Sequence, residues 1–408
     1  MRMFVKNTLL LASGLMLGNT ALAVHVNPQG TGEVLLFPLY TTLAGNDTYF
    51  HITNHGAQQK ILKVRLLEAV NSTAVLSFNL RLAPRDTWTG TVTRTDTGAK
   101  VITRDESITE PAFPSAGIEL SSSAYQGQDY LAGTGGPQGL ERTRIGHIEV
   151  IEMAPTGSNA ETGGLSGSFS IINVPQGIQF GGIATALDDF WGEVTPTTAT
   201  AAAHALPNLG SGSKTTEFPD GTTDSFAKGL DAVGAALLTA YVENEFVSGA
   251  GLAAETDWVV TFPTKALATR GLTAPAQPFL SIWSATAQGN TCTYAPSDRY
   301  DRDGHPYPTD IPATFEKEPY WLCDSTNILG FGRSAVIREA EELPATDEDE
   351  SQSGYLQLDF SQRHLTSLSA KQYPGIPAIG FSAIKITNGD VNGLLSNYAV
   401  SWPHRSHK

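Results

Sequence analysis

Tyr300-Asp-Arg-Asp-Gly304 is the stretch of this chain best equipped to bind a cation. A calcium loop of the EF-hand kind wants oxygen ligands at its first, third, fifth and twelfth positions and glycine at its sixth. Asp301, Asp303 and Gly304 take the third, fifth and sixth, and Asp310 takes the twelfth. Arg299 stands at the first position with Asp298 beside it, and Pro306 and Pro308 would distort a standard loop. Asp301, Asp303 and Asp310 are therefore the candidate Ca²⁺ ligands, and the same Asp-Gly chemistry equally suits a plain turn.

Other combinations of chemistry-bearing residues fall short of a reaction. His51 and His55 are four apart, a spacing that brings two imidazoles to one metal on a helix. Here Thr48 to Ile52 alternates as a strand and Asn54 marks a turn, so two polar side chains facing water are the plainer reading. Gly164-Leu-Ser166-Gly-Ser168 approaches the nucleophile elbow Gly-x-Ser-x-Gly but lacks its last glycine. Asp188-Asp189 beside Phe190 and Trp191 combines two carboxyls with rings able to stack on a sugar. Glycosidases need those carboxyls at a set separation that sequence neighbours rarely supply, which leaves a helix end with a core tryptophan. No metalloprotease His-Glu-x-x-His and no phosphate-cradling glycine loop occurs. No catalytic or cofactor-binding residue is assigned.

The chain has two cysteines, Cys292 and Cys323. In an oxidising compartment such a pair forms a disulfide, closing a loop of about 30 residues and contributing about 3–4 kcal/mol. Metal or redox chemistry wants closer spacing or additional ligands.

These residues are positioned by strands. Leu76, Phe78, Leu80 and Leu82 alternate with polar neighbours, as do Leu62, Val64 and Leu66. Trp88 to Thr95 and Ala99 to Arg104 flank Asp96-Thr97-Gly98, a hairpin turn. Asp47 to Asn54 and Ile145 to Met153 read as further strands, and together they predict an antiparallel sandwich of immunoglobulin-like type over residues 24–160. Residues 161–408 read as a second β-rich domain, with strands at 257–262, 279–284, 355–360 and 383–387. Ala184 to Trp191 and Thr198 to Leu206 have helical leanings. One long helix is predicted near 225–247, with Asp224 as N-cap and a stripe of Phe226, Leu230, Val233, Leu237, Tyr241 and Val242. Trp88, Trp258, Trp283, Trp321 and Trp402 are expected to pack in cores or in sheets. The run Glu339 to Glu350 holds seven carboxylates and reads as a solvated loop.

The first 23 residues give the address. A basic start, an apolar run from Leu9 to Leu17 and the Ala21-Leu22-Ala23 box form a secretory signal peptide, too short to span a bilayer. Cleavage would leave a chain starting at Val24 with no transmembrane segment. Loss of Arg2 and Lys6 takes Lys+Arg from 26 to 24 against 41 Asp+Glu, a net charge of −17. That acidity disfavours nucleic acid and anionic membranes. Low charged content (16%) with 40 glycines fits an extracellular β-rich protein.

Three blocks carry a resemblance. Val24-His-Val-Asn-Pro with Gly32-Glu-Val-Leu-Leu-Phe-Pro-Leu-Tyr40, Asp257-Trp-Val-Val-Thr-Phe-Pro-Thr-Lys265, and Gly375 to Phe381 running on to Leu394-Leu-Ser-Asn-Tyr398 occur in order. They resemble a family of uncharacterised secreted proteobacterial proteins labelled hypothetical or cell-surface. The resemblance implies a compartment and supplies no site residues. The expected function is a secreted, non-enzymatic, structural or adhesive protein of the cell surface, with a surface or matrix partner or self-association. The alternatives are a secreted polysaccharide-active enzyme and a periplasmic protein binding a ligand or Ca²⁺.

Overall fold

In a computed structural model, the structure describes residues 22–126, 137–153, 163–194, 206–249, 253–269, 276–279, 292–306, 318–331, 334–338 and 352–407. The signal segment up to residue 21, Asp310, Trp283 and the acidic run from Glu339 lie outside them.

Alternation in the N-terminal half becomes two facing antiparallel sheets. The seven-stranded sheet runs, edge to edge, His25–Val26, Thr185–Asp188, Val34–Thr41, Ile145–Met153, Lys60–Glu68, Ala74–Leu82 and Ile108–Glu110. The six-stranded sheet runs Ile178–Ile183, Leu165–Asn173, Asp47–Asn54, Thr87–Arg94, Ala99–Ile102 and Ile118–Glu119. Their inner faces enclose Phe37, Phe50, Phe78, Trp88, Val150 and Phe169 in one core. Trp88 packs 5.3 Å from Phe50 and 5.5 Å from Phe78, ring centre to ring centre. The outer face of the six-stranded sheet carries the intervening Thr89, Thr91, Ser168 and Ser170, which are half-buried. This is the two-layer sandwich expected, larger than the seven to nine strands of immunoglobulin domains. Sheet pairing does not stop near residue 160: the strands at 165–173, 178–183 and 185–188 all belong to this sandwich.

The strand Val34–Thr41 is buried along its whole length. Leu35, Phe37 and Leu39 face the first core, while Val34 and Leu36 face a second one with Leu187, Trp191, Phe226 and Val233. Cover on both faces explains an unbroken apolar run where a half-exposed strand would alternate. Pro38 sits in it at a register shift between Gly146 and Ile148 of the neighbouring strand, where a missing N–H is tolerated.

A second pair of sheets follows. The four-stranded sheet runs Thr326–Gly330, Ala254–Thr261, Ile379–Val391 and Leu394–Pro403. The five-stranded sheet runs Glu318–Leu322, Thr293–Asp301, Gln352–Asp359, Tyr241–Ser248 and Arg405–His407. Trp258 and Val260 pack between the two with Phe246, Phe331 and Leu358. On the opposite face of the same strands, Val259, Phe381 and Ala383 join the core of the N-terminal sandwich. The four-stranded sheet is thus a layer shared by both halves, which is why Trp258-Val-Val260 is apolar without a break.

The long helix predicted at 225–247 is corrected. Helix is formed over Gly229–Ala236 alone, and Leu237 already leaves helical geometry. Leu238–Thr239 pairs with Ile376–Pro377, and Tyr241–Ser248 is a strand between Gln352–Asp359 and Arg405–His407. The three-and-four spacing is real up to Leu237. Beyond it Val242, Asn244, Phe246 and Ser248 are the inward positions, a period of two, and aromatic and β-branched residues favour the strand once partners exist on both sides. Asp224 caps nothing; its carboxylate accepts from the Ser369 and Tyr373 hydroxyls. Likewise Thr185–Asp188, within the predicted helical leaning at 184–191, is a strand between His25–Val26 and Val34–Thr41.

Candidate functional site

Asp301 and Asp303 lie at the end of the Thr293–Asp301 strand. Asp301 Oδ1 accepts from the backbone N–H of Asp303 at 2.9 Å and of His305 at 2.8 Å, and Gly304 takes φ +83°. These bonds hold the Asp301 carboxyl below the usual range, the His305 N–H first among them. Asp301 Oδ1 thus closes an Asp-Gly turn, and among the described residues no three acidic, His or Cys side chains gather to hold a metal. Asp310 lies outside the described residues. Cys292 and Cys323 are joined as a disulfide, beside the Thr293–Leu322 register pair.

His51 lies on the Asp47–Asn54 strand and His55 just past its end, and among the described residues no group of three metal-ligating side chains forms around them. Each meets a serine instead: His51 Nε2 lies 2.8 Å from Ser168 Oγ, and His55 Nε2 lies 2.7 Å from Ser166 Oγ. The stretch 164–168 and the histidine pair, unrelated in the sequence, therefore face each other across the strand ladder. Both pairs lie on an open sheet face. A hydrolytic nucleophile also needs donors aimed at a developing oxyanion, and a flat strand ladder turns its N–H groups along the sheet.

Of Asp188, Asp189, Phe190 and Trp191, the two rings are core, at 0% and 2% exposure, and offer no stacking platform. Trp191 donates its indole N–H to the Glu152 carbonyl, and its backbone N–H goes to Glu33. Asp189 is different. It sits in left-handed backbone at φ +51°, a conformation a non-glycine residue holds at a cost, with its carboxylate 3.9 Å from His25 Nδ1.

A further set of charges is buried. Glu68 accepts Arg142 through Nε at 2.7 Å and a second guanidinium nitrogen at 3.1 Å, and also the backbone N–H groups of Val70 and Thr73. Lys60 pairs with Glu152 at 2.9 Å, and Arg65 with Glu149. Burial pushes the Glu152 carboxyl up to about 7 against the pull of Lys60. Lys265 reaches the Leu322 and Asp324 carbonyls beside the disulfide, and burial brings its ammonium down to about 7. These groups hold segments together rather than line an opening.

Two exposed features remain. One is a groove of 620 Å³, within the span of about 300–1,000 Å³ usual for small-molecule sites. It opens where His25 and Thr185, on the sandwich edge, meet Leu237 at the helix end and Val260 and Ile379 of the four-stranded sheet. A hollow of 270 Å³ continues it past Thr185, and one of 330 Å³ continues it past Phe218. Glu217 stands on its wall. No periodicity or motif signals this site, because its walls come from segments more than 200 residues apart.

The other is the hairpin of Ile379–Val391 and Leu394–Pro403. Its register puts Ile384 opposite Val400 and Ile386 opposite Tyr398 on one face, with Trp402 opposite Ser382. Leu394 is 71% exposed, Tyr398 60% and Trp402 50%. Exposed apolar groups gathered on one element mark a contact surface.

No protein-family model, no curated protein and no solved structure matches this chain.

Proposed function

We propose that this is an exported, non-enzymatic structural or adhesive protein of the cell surface, one that acts by contact. The observation that carries the reading is the C-terminal hairpin, whose tip and outer stripe leave Leu394, Tyr398 and Trp402 largely in water. The stripe Ile384, Ile386, Tyr398, Val400 and Trp402 contains no charge. Two copies facing each other through it would bury apolar surface without desolvating an ion. A second copy of this chain is thus the assigned occupant, and the basic N-terminal segment supports export.

The test has two parts. On intact cells, external protease digests the protein while a periplasmic marker survives; protection until the envelope is opened overturns the surface assignment. In sedimentation of the purified protein, the parent self-associates and Tyr398→Ser with Trp402→Ser is monomeric. A monomeric parent, or a double variant that associates unchanged, overturns the hairpin as the contact.

A second reading, a binding protein for a small ligand, is favoured by the 620 Å³ groove.

A further inference from the structure

We infer that the groove between the sandwich edge and the four-stranded sheet binds an organic cation, an amine with an apolar body. This rests on the second reading above and names the ligand class. The walls supplied by Leu237, Val260 and Ile379 are apolar, so the body of a ligand gains by leaving water. The charges are of one sign. Glu217 is half-buried on the wall, and its carboxylate takes no hydrogen bond or ion pair among the described residues. Asp189 stands behind His25, and burial together with the Asp188 and Glu217 carboxylates holds its carboxyl above the usual range.

No Lys or Arg is among the described residues lining the groove. Of the basic residues near by, Lys371 lies over the Tyr373 ring and Arg405 pairs with Glu245 at 3.3 Å. His404, whose ring lies 4.9 Å from Trp258, donates through Nε2 to the Val259 carbonyl. Enclosure of that ring brings the imidazole down to about 4, so it is neutral at pH 7. His25 donates through Nδ1 to the Ala23 carbonyl at 3.1 Å. The groove thus presents a carboxylate beside an apolar wall, with a second carboxylate behind. An ammonium group supplies the missing charge and three donors; a carboxylate ligand meets like charge.

Calorimetric titration of the purified protein with decylamine, decanol and decanoate, each below its micellar concentration, tests the inference. Decylamine is expected to bind one to one, about tenfold tighter than decanol, the worth of a charge-assisted hydrogen bond, with decanoate weakest. Glu217→Gln should bring decylamine to the level of decanol. Thr185→Trp, at the half-buried rim, should remove binding of all three. Equal binding of the three chains, or a Glu217→Gln protein that keeps its preference for the amine, overturns the cation and leaves the groove as an apolar site. Failure of all three to bind, or binding that survives Thr185→Trp, overturns the groove itself. Should Thr185→Trp not fold, Glu217→Gln and the head-group series still decide.

Discussion

Trp88 and Trp402 both lie on strands that alternate, and they end in opposite surroundings. Trp88 is fully enclosed between Phe50, Phe78 and Phe113, with a second sheet over it. Trp402 is half exposed on a strand whose stripe runs past the edge of the five-stranded sheet that covers Trp258. The same contrast holds for charge. The sandwich buries Glu68 with Arg142 and Lys60 with Glu152, whereas the groove leaves Glu217 and Asp189 at an opening. A period of two therefore states that a strand has an apolar face. Whether that face is filled by the molecule itself or kept for something else depends on the layer placed over it.

Substitutions can break or sharpen this contrast. Trp88→Ala should cost about 3–5 kcal/mol in urea unfolding, the usual range for emptying a packed aromatic site. Arg142→Ala should cost about 3–5 kcal/mol, because it strands the Glu68 carboxylate in the interior; a loss below about 1 kcal/mol would mean that water reaches it. In the C-terminal half, replacing Cys292 and Cys323 by alanine should lower stability by about 2–4 kcal/mol, as for a loop of this length.

The seam between the halves should respond to acid. Burial, with Arg65 adding to it, pushes the His147 imidazole down to about 3, and its Nδ1 lies 3.1 Å from Thr326 Oγ1 of the four-stranded sheet. The folded state keeps this ring neutral while the unfolded chain takes up a proton near pH 6.5. The stabilisation is complete above that pH and is lost as pH falls from about 6.5 towards 3, amounting to about 2 kcal/mol at pH 5. His147→Gln should flatten that part of the acid limb in chemical unfolding followed against pH. The smallest effect is expected at Trp402→Ala, within about 0.5 kcal/mol of the parent. A loss matching that of Trp88→Ala would show the hairpin stripe to be covered from within, and the contrast would fall.

Much of the sheet structure was legible. Asp47 to Asn54 and Ile145 to Met153 were expected strands and are strands with those limits; the first alternates because a half-buried strand writes its burial into every second residue, whereas the second is buried on both faces. The run from Ser225 to Val247 misled because its three-and-four spacing continues by chance across Leu237 into a strand. Only the partners at Gln352–Asp359 and Arg405–His407, more than 100 residues away, distinguish the two. The Asp301-Arg-Asp-Gly304 stretch forms the turn that its chemistry equally suited, since an Asp-Gly turn and a cation loop draw on the same oxygens. The serines at 166 and 168 and the histidines at 51 and 55 carried no mutual signal at all.

What the amino-acid sequence alone determined is local: the mainly β character, the limits of some strands and the turn chemistry at Asp301. It also limited the disulfide to one pair, there being two cysteines. Tertiary structure alone decided where the helix ends, which charges are enclosed, that the four-stranded sheet serves two cores, and that a groove forms at His25, Thr185 and Glu217. Periodicity is a property of neighbouring residues and their backbone geometry, whereas enclosure is set by whichever distant strand comes to lie on top.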